Sequence, residues 1–269
     1  MRRFIRYLVR ILAVIIIVIA ARYLFLEHEA NRYNESIYEN LKMEPETAEE
    51  KEGASGPRYD LEALKKANPD CVGIVEIPGT DIYYPVLYSE KEDGFYYMKR
   101  NFYEEPDGRG SIFMDFRCDH KKPSTNLVLY GHRMRNNQMF AQLKGYKEKS
   151  FWEEHQLIYY TDERGTGTYR IFAAYLSKDP ENMDENQKKY QLEFIDAEGE
   201  EEITAFSEAV RSWSYYNTGI KTEPQDCFLT LRTCDYAVSN GRISVVARLE
   251  QAPDYKTEVK TEEESGGVE

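Results

Sequence analysis

From Cys227 to Arg248 the sequence reads CFLTLRTCDYAVSNGRISVVAR, and any fold of this chain must seat it. Phe228–Thr233 is rich in Thr, Leu and Phe. In Arg242–Leu249, charged or small residues alternate with Ile243, Val245, Ala247 and Leu249. Both are strand patterns. The residues between them, Asp235–Gly241, are rich in Asp, Ser, Asn and Gly, the chemistry of a hairpin loop. Antiparallel pairing puts Cys234 and Arg242 opposite each other at the hairpin mouth. Ile243, Val245, Ala247 and Leu249 then enter a core, and Arg242 takes the opposite, polar face. A thiol beside a guanidinium at a strand end is a candidate active site, and it needs a base from elsewhere in the chain.

Six more strand-like runs precede this pair: Val72–Ile77, Ile82–Val86, Ser111–Phe116, Asn126–Tyr130, Gln156–Thr161 and Thr168–Leu176. Helices are expected at Tyr59–Ala67, around Met139–Tyr146, and at Ile203–Trp213, where Ile203, Phe206, Val210 and Trp213 keep helical spacing. Eight short strands with few long helices point to a mainly β barrel or sandwich, and closure would remove exposed edges.

The ends of the chain differ sharply in charge. Residues 1–26 carry five arginines and no acid, whereas the remainder has 30 basic against 48 acidic side chains. So acidic a surface argues against nucleic-acid binding, which needs basic patches. Phe4–Leu26, centred on ILAVIIIVIAA with Arg10 and Arg22 snorkelling, would reach roughly 34 Å as a helix. A cleaved signal peptide ending near Ala20–Ala21 is the rival reading. The apolar Tyr23–Leu26 beyond that site favours an uncleaved anchor, with the basic side cytoplasmic and everything after residue 27 outside the cell. The expected organisation is therefore an anchor at 1–26, a stalk helix and flexible linker at 27–57, a catalytic domain at 58–250 and a disordered acidic tail at 251–269.

Four cysteines outside the cytoplasm invite a disulfide reading. Cys227 and Cys234 share a strand and are too far apart to bridge. Cys71 and Cys118 are expected to pack as small hydrophobes, with a Cys71–Cys118 bridge as the alternative. No CxxC and no His-rich cluster is present, so neither a metal site nor a cofactor is expected. Acidic runs such as Glu198–Glu202 read as solvated faces. Of the four histidines, His28 lies in the stalk, His120 in a charged loop and His155 in a turn. His132 differs, because NLVLYGH runs an apolar strand through Gly131 into an imidazole at the strand end.

LTLRTC with Cys234, NLVLYGH with His132 and GRISVVARL with Arg242 resemble the three signature segments of sortases, in the version of class B. GSIFMDFR (110–117), NPDCVGIVEIPGTDIYYPVL (68–87) and MFAQLKGY (139–146) are similar to the same class in order and spacing, so the resemblance runs from about Leu61 to Leu249. It implies a closed eight-stranded β-barrel with peripheral helices and a cysteine transpeptidase. The substrates would be secreted proteins bearing a C-terminal sorting signal of NPQTN-like type, and the acceptor an amine of a peptidoglycan precursor or cross-bridge. It implies Cys234, His132 and Arg242 as catalytic residues, with Arg232 and Thr233 contacting substrate. Arg232 stands where class B members commonly have Ser, which puts the peptide preference in doubt but not the chemistry.

These residue types suit the reaction. A thiolate attacks, and cationic neighbours favour it. Arg242 can donate to the oxyanion, and His132 can pass protons to the leaving amine and from the incoming one. Arg248 competes for the guanidinium role but lies roughly 20 Å from the hairpin mouth. Other readings are a pilin-polymerising sortase using a lysine acceptor and a non-catalytic membrane-tethered scaffold. L,D-transpeptidases and papain-like hydrolases differ in the spacing or order of these residues.

Overall fold

The structure, a computed structural model, describes residues 2–43, 58–122, 124–235 and 240–253. The chain forms two compact units, 1–60 and 61–269. In the first, α1 (Arg2–Asn40) is a single helix, and the two-residue strands Lys42–Met43 and Arg58–Tyr59 pair antiparallel. The helix runs through residue 26 without a break, so the expected boundary between anchor and stalk is not a structural one. Among the described residues, α1 is the one helix long and apolar enough to cross a membrane. The expected spacer at 45–57 and nearly all of the tail beyond 251 lie outside the described residues.

The second unit contains every expected strand: β1 (Cys71–Glu76), β2 (Tyr83–Leu87), β3 (Ile112–Met114), β4 (Asn126–Tyr130), β5 (Leu157–Asp162), β6 (Gly165–Ser177), β7 (Phe228–Asp235) and β8 (Gly241–Gln251). They close into a barrel of order β8-β6-β5-β1-β2-β3-β4-β7, in which β7 returns to β8. Two pairings are parallel, β2 with β3 and β4 with β7, and the others are antiparallel. The short helices α2 (Leu61–Ala67), α3 (Lys149–Glu154) and α4 (Glu185–Lys188) are peripheral, as is α5 (Glu200–Trp213). The expected helix near 139–146 is a 3₁₀ segment, Ala141–Lys147.

Strand alternation divides β7 and β8 between two environments. Leu229, Leu231, Ile243, Val245 and Ala247 fill the barrel interior and are fully buried. Phe228 and Val246 face outward, but they are not solvated. They pack with Phe172, Tyr175, Phe194, Phe206 and Val210 in a second core beneath α5. The expected polar face of β8 is therefore interrupted at Val246, between Arg242 and Ser244 near the hairpin mouth and Arg248 at the far end. The helix that covers this interruption carries its apolar stripe at the spacing expected of it. Three glutamates in its first turn and Arg211 in its last favour it electrostatically.

Candidate active site

The outward face of β7 changes character along its length. Phe228 lies under Phe206, with ring centroids 5.0 Å apart. Thr230 donates from its hydroxyl to Asn126 Oδ1 at 2.8 Å, and Arg232 and then Cys234 follow on the same face. The antiparallel register pairs Cys234 with Arg242 and Arg232 with Ser244. The parallel register pairs Tyr130 with Arg232, and the Gly131 amide donates to the Arg232 carbonyl at 3.1 Å. That register ends at Tyr130 and Arg232, two residues before His132 and Cys234, so the end of β4 brings His132 to the same end of the barrel as the Cys234–Arg242 pair.

Glycine is needed for this approach at two places. A Cβ on Gly131 would lie 2.4 Å from Ile112 Cδ1 and 2.8 Å from the Phe140 ring, so the strand end before His132 can be set only without a side chain. Past Gly131 the chain turns back on itself. The Phe140 amide donates to the His132 carbonyl at 3.0 Å, and Arg133 bridges Met139. The imidazole is held by a backbone carbonyl, with Nε2 lying 2.8 Å from Met98 O. A carbonyl only accepts, so Nε2 carries the proton and Nδ1 is left for proton exchange. Gly110 has φ +59°, and a Cβ there would lie 2.5 Å from that same Met98 oxygen. The Met98 contact comes from a single 3₁₀ turn, Tyr96–Lys99, too short to carry a periodic pattern, and sequence reasoning missed it for that reason. Of the other histidines, His155 bonds the Pro78 carbonyl through Nδ1 at 2.9 Å, and His120 packs on the Tyr88 ring.

Arg232 lies deeper than a groove wall. It is 5 % exposed, its Nε donates to Ser244 Oγ at 3.2 Å, and its guanidinium carbon lies 5.8 Å from the centre of the Tyr130 ring. Tyr130 stacks on Phe113 and donates its hydroxyl to Asp115 Oδ2 at 3.0 Å. Burial pushes the Asp115 carboxyl up, but hydrogen bonds from Arg117 outweigh it and hold the group below the usual range. Thr233 differs from its expected placement beside the substrate. Its side chain follows Leu231 into the barrel interior, is 2 % exposed, and its hydroxyl meets no partner among the described residues. It is a packing residue behind the Cys234–Arg242 pair.

The remaining thiols are quiet. Cys71 and Cys118 are free and buried, so the alternative Cys71–Cys118 bridge is not formed. Burial pushes each thiol up to about 12. Cys227 is free and half-buried, and it too is raised by burial and by the neighbouring Asp226. Arg248 is held 3.6 Å from Asp226 at the far end of the hairpin, away from the Cys234–Arg242 pair. No cluster of three metal-ligating side chains occurs among the described residues.

Comparison with known proteins places this architecture. A sortase domain matches residues 75–250. The chain is 30 % identical over 251 residues to sortase B of Staphylococcus aureus, covering 93 % of this chain and 98 % of that protein. It is also 30 % identical over 229 residues to sortase B of Listeria monocytogenes, covering 83 % and 88 %. Among solved structures, the Staphylococcus aureus sortase B–substrate complex aligns with a TM-score of 0.63 at 31 % identity, over 71 % of this chain and 85 % of that one. Sortase B of Bacillus anthracis in complex with AAEK1 aligns at 0.68 and 28 %, over 84 % of this chain and all of the other. The chain belongs to the sortase family, in class B, and is a cysteine transpeptidase.

Proposed function

We propose that this transpeptidase cleaves a C-terminal sorting signal of secreted proteins and joins the new carboxyl end to a cell-wall amine. Cys234 acts as nucleophile, His132 as proton carrier and Arg242 as oxyanion donor. The observation that supports this reading is the register, which pairs positions 234 and 242 and carries β4 alongside β7 as far as Tyr130 and Arg232, two residues before His132 and Cys234. The Cys234 thiol passes its proton to Nδ1 of His132, the resulting thiolate adds to the scissile carbonyl, and the negative charge that develops on oxygen meets the Arg242 guanidinium. Collapse breaks the C–N bond as His132 delivers a proton from Nδ1 to the departing amine, leaving an acyl-thioester. The incoming amine then gives its proton back to Nδ1 as it attacks, and a second collapse releases the thiolate and the joined product. The Met98 carbonyl holds the opposite nitrogen throughout, so the ring keeps one orientation for both transfers.

The proposal extends to the organisation of the chain. Residues 1–26 anchor it with the amino end cytoplasmic, 27–57 hold the catalytic domain (58–250) outside the bilayer, and 251–269 form an acidic tail. The basic, acid-free start of the chain and the apolar length of α1 support this arrangement. The test uses the full chain in detergent micelles with NPQTN-like fluorogenic peptides and an amine acceptor. Amine-dependent product and a trapped acyl adduct on Cys234, detected by mass spectrometry, are expected. An adduct on another residue, or turnover that persists in Cys234→Ala, would overturn the assignment.

A further inference from the structure

We propose that Arg232, Tyr130 and Ser244 form a carboxylate-binding subsite beside the nucleophile, selecting a reactant with an acidic group close to the bond being broken or made. The inference deepens the preceding reading and rests on Cys234 as the nucleophile.

Arg232 is a cation nineteen-twentieths removed from solvent, and a buried charge is costly unless something of opposite sign meets it. Its protein partners do not. Ser244 offers a neutral hydroxyl to Nε, and Tyr130 offers a ring face. The nearest acid in that chain of contacts, Asp115, is already engaged by Arg117 through both oxygens and by the Tyr130 hydroxyl. Among the described residues no carboxylate forms an ion pair with Arg232. The Nη groups of its fork meet no protein acceptor among the described residues, and their planar geometry fits the two oxygens of a carboxylate.

Position adds the second half of the argument. The row 130–232–244 adjoins the 234–242 pair on the same outward face, one strand repeat away. A repeat of two residues is about 7 Å, the length of about two residues of extended peptide. A carboxylate within two residues of the attacked carbonyl reaches the guanidinium, and an amide in its place leaves the charge unmatched. The same chemistry could come from either reactant, as an Asp or Glu in the sorting peptide or as a carboxylate flanking the acceptor amine.

The experiment compares matched pairs with the full chain in micelles. In the donor arm, peptides differ only by Asp against Asn or Glu against Gln at each of the two positions on either side of the cleaved bond. In the acceptor arm, one donor is kept and amines with an adjacent carboxylate are compared with their carboxamides. The readout is the ratio of kcat/KM within a pair, which cancels any loss of folded protein. An acid preference of about tenfold or more is expected in one arm. It should collapse to near one in Arg232→Ser and survive in part in Arg232→Lys, which keeps the charge but not the fork. Loss of preference in the donor arm assigns the carboxylate to the sorting peptide, and loss in the acceptor arm assigns it to the amine. Wild-type ratios near one in both arms, or a preference unchanged in Arg232→Ser, would overturn the subsite while leaving the transpeptidase reading intact. Should no peptide turn over, titrating the same pairs into Cys234→Ala protein decides by binding: equal affinities for acid and amide refute the subsite.

Discussion

The β7–β8 hairpin carries a cysteine and an arginine at each of its two ends, and only one end is proposed to do chemistry. At the lower end, Cys227 adjoins Phe228, which pairs with Arg248, so a thiol and a guanidinium again lie close. There Asp226 holds the guanidinium and also raises the Cys227 thiol, which burial has already pushed up. At the upper end, Cys234 pairs with Arg242 near the end of β4, which leads into His132, whose ring is held by the Met98 carbonyl. The composition of the two ends is almost the same. What separates them is the third partner: an acid at one end and, at the other, the imidazole proposed to exchange protons.

The largest expected effect tests that contrast directly. Cys234→Ala should lower turnover by about a thousandfold or more, whereas Cys227→Ala should leave it unchanged; comparable losses in both would erase the distinction. Next, Arg242→Lys should cost on the order of a hundredfold in kcat, because a point charge cannot copy the fork, while Arg248→Lys should spare kcat. Truncating Phe206, which covers the lower end, separates packing from catalysis. Phe206→Ala should cost about 3 kcal/mol in denaturant unfolding, with kcat of the folded fraction retained. A smaller effect is expected of Gly110→Ala, which pushes on the Met98 carbonyl and so on the imidazole. We expect kcat to fall about tenfold with KM little changed and the pH profile altered, and an unaltered profile would mean that the carbonyl does not orient the ring.

The smallest effect concerns the thiols outside the site. Cys71 and Cys118 have folded values pushed up to about 12, above the unfolded value of about 8.5. Their contribution to stability is therefore complete below about pH 8.5 and declines as pH rises towards 12, because the unfolded chain ionises first. The urea midpoint should drop over that window, and a thiol probe at neutral pH should label Cys234 long before the buried pair.

All eight strands of the barrel were legible because each keeps its own local signature, such as the alternation in Arg242–Leu249 or the apolar run in Asn126–Tyr130. Closure was not legible from pattern alone. The parallel seam of β4 with β7 joins residues about a hundred positions apart, and only the family resemblance separated barrel from sandwich. Alternation also placed Arg232 on the same face as Cys234, but it says nothing of what covers a face. The burial of Arg232 between Tyr130 and Ser244, and of Phe228 under α5, had to come from coordinates. Membership of a motif does not show which way Thr233 faces, and its odd position along β7 turns it inward. α3 and the turn of π-helix at Lys189–Glu193 went unnoticed because each is too short to show a period.

The seam between β4 and β7 has a further consequence. Neither bank of it is complete by itself: β7 and β8 can form early as a local hairpin, but the strand that ends at Gly131 must arrive from the far side of a loop of about a hundred residues, an entropically slow step. Until the ring of strands shuts, the proposed nucleophile and the proposed proton carrier belong to separate pieces of structure. Completion of the fold and assembly of the proposed site become one event.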